Sequence, residues 1–234
     1  METGCHPRLI LASASPRRRE LLALLGIPFD VIASSVAEDD TGGVAPELLA
    51  LRLAFEKARD VAARVRPGPT EGVVILGADT VVVPPEDADV RVLGKPTDAQ
   101  DARRMLGLLS GKTHVVFTAV AALYMAASLP GEWRCAVVPS RVRFRSLSER
   151  DIEEYVSTGE PLDKAGAYGI QGHGARLVED LQGDYSNVVG LPLGAVRDLL
   201  VRWYPVLSGV PLPPSRTIAQ NPGGGLGHDP SHSK

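Results

Sequence analysis

The chain has little that would staple it or anchor it. It contains only two cysteines, Cys5 and Cys135, in 234 residues. They form no close metal-type pair, and a disulfide framework needs more of them. A reduced, cytoplasmic setting is the expectation. No apolar run reaches the roughly eighteen residues of a membrane span. No long apolar stretch precedes the first polar cluster, so no secretory signal is expected. Neither sign of charge dominates: 25 basic and 28 acidic residues leave a net charge of −3. That excludes a global basic field, and no basic–aromatic stripe is interleaved along the chain, so nucleic acid is not an expected partner. Any anion site must be local. There is also no internal repeat, no nucleophile elbow, no Walker loop and no dinucleotide-type G-x-G-x-x-G.

What is present is apolar. Hydrophobic residues make up 44% of the chain, enough for a packed core. The length suits one large domain, or two lobes sharing a sheet, that buries roughly 70% of its unfolded surface. "RLILA" (8–12) reads as a short buried strand. Ser15 and Pro16 then mark a helix start, with Gly26 as its stop. "FDVIAS" (29–34) reads as a second strand. Residues 46–65 carry apolar side chains at helical spacing. "VVILGADTVVV" (73–83) is apolar on both alternating faces, as in a central strand covered on both sides. Thr97 and Gln100 suggest a capping box for a helix ending at Leu109. Residues 114–126 and 133–147 read as strands, the second with one wet, arginine-bearing face. Ser148 opens a helix through Val156, and a glycine-dense loop follows at 163–175. "ARLVEDLQG" and "YSNVVGLPL" suggest a hairpin, and 194–204 a last helix. The expected fold is α/β with a mixed sheet. The globular domain is placed at 1–205 and a flexible Pro/Gly-rich tail at 206–234.

Chemistry concentrates at few positions. Arg17, Arg18 and Arg19 occupy the first turn of a helix, where the partial positive charge favours acids over bases. A phosphate in front of them would use both the helix N–H groups and the guanidinium forks; a solvated basic turn is the alternative. Lys57 lies on or beside an apolar helix face, snorkelling to water or pointing into a cleft. Asp79 interrupts an apolar strand, and a buried carboxylate needs a cation, a metal or several donors. Gly77 and Ala78 leave room for another group to approach there. With Glu38 of the loop "AEDD", Asp79 could complete an oxygen-rich Mg²⁺ or Mn²⁺ site. Lys95 sits in the turn "GKP". Gln171, in the glycine-dense loop, offers donors and an acceptor that suit a base edge. His114 and His173 have no ligand spacing.

"LASASPRRREL", "LRLAFEKA", "GADTVVV", "GKP", "LSGKTHVVFTAV", "EPLDKAGAYGIQG" and "NVVGLPL" together resemble the Maf-like nucleotide pyrophosphatases in order and spacing, across roughly residues 8–203. "GADT" and "DKAGAYGIQG" are similar to the branch acting on dTTP and UTP. The resemblance implies an elongated mixed sheet flanked by helices, two lobes with a central cleft, shared with inosine triphosphate pyrophosphatases. It implies hydrolysis of a nucleoside triphosphate to its monophosphate and pyrophosphate with a divalent metal, and a homodimer. It places the proton acceptor on Asp79 and the specificity positions on Arg17, Thr80 and Gln171. Ser13, Arg18, Glu38, Lys57 and Lys95 match its other polar cleft residues. Because the family is also associated with arrest of septum formation, a non-catalytic nucleotide-binding regulator of cell division is the competing expectation.

Overall fold

A computed structural model describes residues 6–37, 43–127 and 129–212. Glu38, Cys5 and residues 213–234 of the expected tail lie outside the described residues. The strands are β1 (Arg8–Leu11), β2 (Asp30–Val31), β3 (Gly72–Val83), β4 (Thr113–Ala126), β5 (Leu129–Phe144) and β6 (Val178–Gln182). The helices are α1 (Pro16–Ala23), α2 (Pro46–Arg64), α3 (Ala99–Leu109), α4 (Glu149–Val156), α5 (Tyr185–Val189) and α6 (Leu193–Leu200). The strands form one sheet in the order β2-β1-β3-β4-β5-β6. Its β2-β1-β3 part is parallel, and β3 through β6 are antiparallel. The expected mixed sheet with flanking helices is the observed one. No helix of the described residues is long and apolar enough to cross a membrane.

β3 organises the molecule because both its faces are covered. Side chains of a strand alternate between faces. Val74, Leu76, Ala78 and Val82 join the largest apolar cluster, with α3, α4 and α6. Val73, Ile75 and Val81 turn the other way, toward α2. The α2 backbone lies directly on Gly77: a Cβ there would come within 2.2 Å of the Ala54 carbonyl and 2.9 Å of the Ala58 amide. Small residues at 54, 58 and 77 therefore permit the close approach that the sequence suggested at Gly77.

The register creates the site. β1 ends at Leu11, paired with Leu76, and its chain turns away into α1. The last seven residues of β3 run past that end, so Asp79 and Thr80 lie where the first strand has departed. Ligands of parallel sheets bind in such places, beyond the carboxyl ends of the strands.

Four local expectations change. The strand at 29–34 shortens to two residues, both exposed, at the sheet edge. The α3 cap shifts by one residue: Asp98 accepts from the Asp101 amide, and Asp101 accepts from the Thr97 amide. A carboxylate is the better acceptor, and "TDAQD" offers two overlapping frames. The expected hairpin over 175–193 does not form. β6 pairs with β5 instead, and Asp184 caps the Ser186 and Asn187 amides, starting α5. Packing also continues past 205, since Leu207 is fully buried.

Candidate active site

A cleft of about 1160 Å³ opens at the exposed end of β3, walled by the α1 N-terminus, α2, the Gly94–Lys95 turn and the loop after α4. Ser13, Arg17, Arg18, Lys57, Asp79, Thr80, Lys95 and Gln171 all line it. The structure thus gathers every expected site residue that it describes. Glu38 is the one outside the described residues.

At its wall Lys57 Nζ donates to Asp79 Oδ1 at 2.6 Å, with the two residues 6% and 4% exposed. Lys57 is three residues beyond Ala54, so the close α2–β3 approach brings its ammonium to the strand. The Lys57 ammonium compensates the charge that burial penalises on Asp79.

The two arginines divide. Arg18 Nε donates to the Gly190 carbonyl at 2.8 Å, Nη1 to the Ala78 carbonyl at 2.9 Å, and Nη2 to Thr80 Oγ1 at 3.1 Å. Its guanidinium ties α1 to β3 and to the turn after α5. Arg17 reaches across the cleft to Asp163, at 3.5 Å. Burial works to raise the Asp163 carboxyl, but the Lys164 ammonium and Arg17 outweigh it and hold it below its usual value. Ser15 caps α1 by accepting the Arg18 amide, and Ser13 Oγ accepts the Ser15 amide.

Asp79 and Thr80 point to opposite faces of β3. Thr118 Oγ1 donates to the Asn187 carbonyl at 2.8 Å, so the 2.9 Å contact between the two threonines uses the Thr80 proton. Toward a ligand Thr80 can only accept. Gln171 is exposed at the cleft.

A family model described as "Maf-like protein" matches residues 8–203. The chain belongs to the Maf-like family. It is 51% identical over 193 residues to a protein of Moorella thermoacetica named dTTP/UTP pyrophosphatase, covering 82% of this chain and 93% of that one. It is 45% identical over 198 residues to a Clostridioides difficile protein of the same name, covering 85% and 96%. Among solved structures, a Ham1 protein of Staphylococcus aureus overlaps at TM-score 0.36 and 11% identity, covering 73% of this chain and 79% of that one.

The Maf-like chain holds its cleft with groups that sequence reasoning passed over. Glu160, Asp163 and Lys164 are the charged residues of a loop otherwise built from small and apolar ones, and that contrast was the available signal. Tyr168 also lines the cleft, and its hydroxyl meets His114 Nε2 at 2.7 Å. His114, packed edge-on against Phe144 and Tyr168, is lowered to about 3 by burial. It is a neutral core histidine. Among the described residues no group of three or more His, Cys, Asp and Glu side chains is placed to hold a metal ion.

Proposed function

We propose that this chain hydrolyses dTTP and UTP to the monophosphate and pyrophosphate, as house-cleaning of the nucleotide pool directed at the canonical nucleotides or at their modified pyrimidine counterparts. The carrying observation is the buried Lys57–Asp79 pair, 2.6 Å apart, at the wall of a cleft that Arg17 and Lys95 also line. A carboxylate held by an ammonium, with further cations along the same cleft, suits an anion that is to be attacked by water. The names of the Maf-like relatives support the substrate class.

A divalent cation fits this donor set. Asp79 offers a hard oxygen, and Mg²⁺ characteristically takes one or two carboxylates plus substrate phosphates. Asp79, with Glu38, would hold Mg²⁺ or Mn²⁺, which when bound lowers the pKa of a water and screens the phosphates. The chain's own groups do the rest. Asp79 or a group beside it accepts the proton of the water that attacks the α-phosphorus, because metal binding lowers the basicity of a carboxylate that serves as ligand. Lys57 fixes the carboxylate in place. Arg17 and Lys95 neutralise charge developing on the departing pyrophosphate. Arg18 positions the α1 N-terminus and Thr80. Gln171 reads the base edge, and a site built to hydrogen-bond one edge rejects bases that leave its polar groups unpaired.

The test is multiple-turnover pyrophosphate release from a panel of nucleoside triphosphates with Mg²⁺, Mn²⁺ and Co²⁺. dTTP and UTP are expected to lead, and Asp79→Asn to abolish turnover in a folded protein. Tight nucleotide binding without turnover would favour the regulator of cell division instead.

A further inference from the structure

Gln171 belongs to a loop whose shape is set by one carboxylate. Glu160 lies half-buried after α4, eleven residues before Gln171. Its Oε2 accepts the His173 amide at 3.1 Å. Its Oε1 accepts the Gly174 amide at 3.4 Å and the Tyr155 hydroxyl at 3.0 Å. Tyr155 comes from α4, is fully buried, and its oxygen in turn accepts the Gly169 amide at 3.1 Å. One Glu–Tyr pair therefore grips the chain on both sides of Gln171, at 169 and at 173–174.

The grip tolerates little. Gly172 has φ +62°, and a Cβ there would lie 2.9 Å from Glu160 Oε2. A Cβ on Gly174 would lie 2.2 Å from the Gly169 carbonyl and 2.6 Å from the Tyr155 hydroxyl. The glycines let the backbone close around the carboxylate, and the carboxylate supplies acceptors for amides that the tight turn leaves without regular partners. Burial pushes the Tyr155 phenol up, the Gly169 amide opposes this, and the Glu160 charge reinforces it. The phenol thus stays a donor.

We propose that Glu160, oriented by Tyr155, is the positioning residue of the base-reading loop, setting the register in which Gln171 meets the base and so the choice between pyrimidine and purine nucleotides. This rests on the reading of Gln171 as the base reader. Both Glu160 oxygens are occupied by the loop's amides and the Tyr155 hydroxyl. Glu160 acts by keeping 169–174 in one conformation, so that Gln171 is ordered before binding and does not lose entropy on it.

The experiment uses the full chain and non-hydrolysable analogues of dTTP and GTP, so that its readout does not depend on turnover. The ratio of the two dissociation constants is measured for wild type, Glu160→Ala, Glu160→Gln, Tyr155→Phe, Gln171→Ala and the Glu160→Ala/Gln171→Ala double variant. Glu160→Ala is expected to lower discrimination tenfold or more, with Tyr155→Phe and Glu160→Gln between it and wild type. Adding Glu160→Ala to Gln171→Ala is expected to change the ratio no further, because both act through one group. With hydrolysable dTTP, Glu160→Ala is expected to raise KM more than it lowers kcat. Where Glu160→Ala fails to fold, Glu160→Gln and Tyr155→Phe decide by the same ratio. A ratio that falls in Gln171→Ala but holds in the Glu160 and Tyr155 variants would overturn the proposal and leave Gln171 as reader. A ratio unmoved by Gln171→Ala would overturn the base-reading role itself.

Discussion

Lys57 and Asp79 are 22 residues apart in sequence and 2.6 Å apart in space. Breaking such a buried pair from one side leaves a charge without its partner, at about 3–5 kcal/mol, whereas replacing both sides by apolar groups is often near neutral. Lys57→Met is therefore expected to lower stability by that amount in urea unfolding. The double variant Lys57→Met/Asp79→Leu should regain most of the loss and still release no pyrophosphate, which separates holding the fold from doing the chemistry. His114 gives a pH signature of its own. Its folded pKa, about 3, lies below the ordinary histidine value of 6.5, so between these values the unfolded state binds the proton and the folded state does not. Stability is then full above about pH 6.5 and falls as pH drops toward 3, by up to about 1.4 kcal/mol per pH unit. His114→Gln should flatten that part of the stability–pH curve relative to wild type. Equal slopes would mean that His114 titrates freely in the folded protein.

At the scale of elements, the α2–β3 contact is what makes a site of these residues. Gly77→Ala would place a methyl 2.2 Å from the Ala54 carbonyl, and overpacking of this kind costs about 1–3 kcal/mol. Displacing α2 also moves Lys57, and a shift of about 1 Å can cost about 100-fold in rate. Gly77→Ala is expected to lower both the urea midpoint and kcat. Gly107→Ala, on α3 with open space around it, should be neutral or stabilising by up to about 1 kcal/mol. Equal behaviour of the two variants would refute the close contact. The same contact shows what the sequence made legible. The apolar run of β3, the glycine before Asp79 and the oddly placed Lys57 were each visible locally, because each breaks a period. Their pairing was not, since it depends on where α2 crosses the strand. The hairpin expected at 175–193 failed for a related reason. "YSNVVGLPL" is apolar enough to read as a strand, but the capping by Asp184 and the buried bonds of Asn187 to Val116 and Ser140 are tertiary choices. Arg18 looked like a twin of Arg17 in the first turn of α1, and only the fold shows its guanidinium engaged with Gly190, Ala78 and Thr80.

At the scale of the whole molecule, two of the cleft's cations face carboxylates before any ligand arrives. Lys57 faces Asp79 and Arg17 faces Asp163, while the apolar clusters on the two faces of the sheet carry the packing. A divalent cation is therefore expected to act with the substrate and not as a structural staple. Chelation alone should leave the melting temperature within about 1 °C, because a ligand stabilises only by its occupancy of the folded state. The outcome should differ with nucleotide present. A dTTP analogue and Mg²⁺ at about 100 times the dissociation constant add about 2.7 kcal/mol. For a chain of this size that is roughly 5–10 °C. Withdrawing the metal from that mixture should remove most of the gain, since the phosphates then meet Asp79 without a cation between them. Differential scanning fluorimetry on four samples, with and without nucleotide and with and without EDTA, reads the result directly. A large drop on chelation in the nucleotide-free sample would mark the metal as part of the fold. A gain unaffected by chelation would show that Arg17 and Lys95 hold the triphosphate without it.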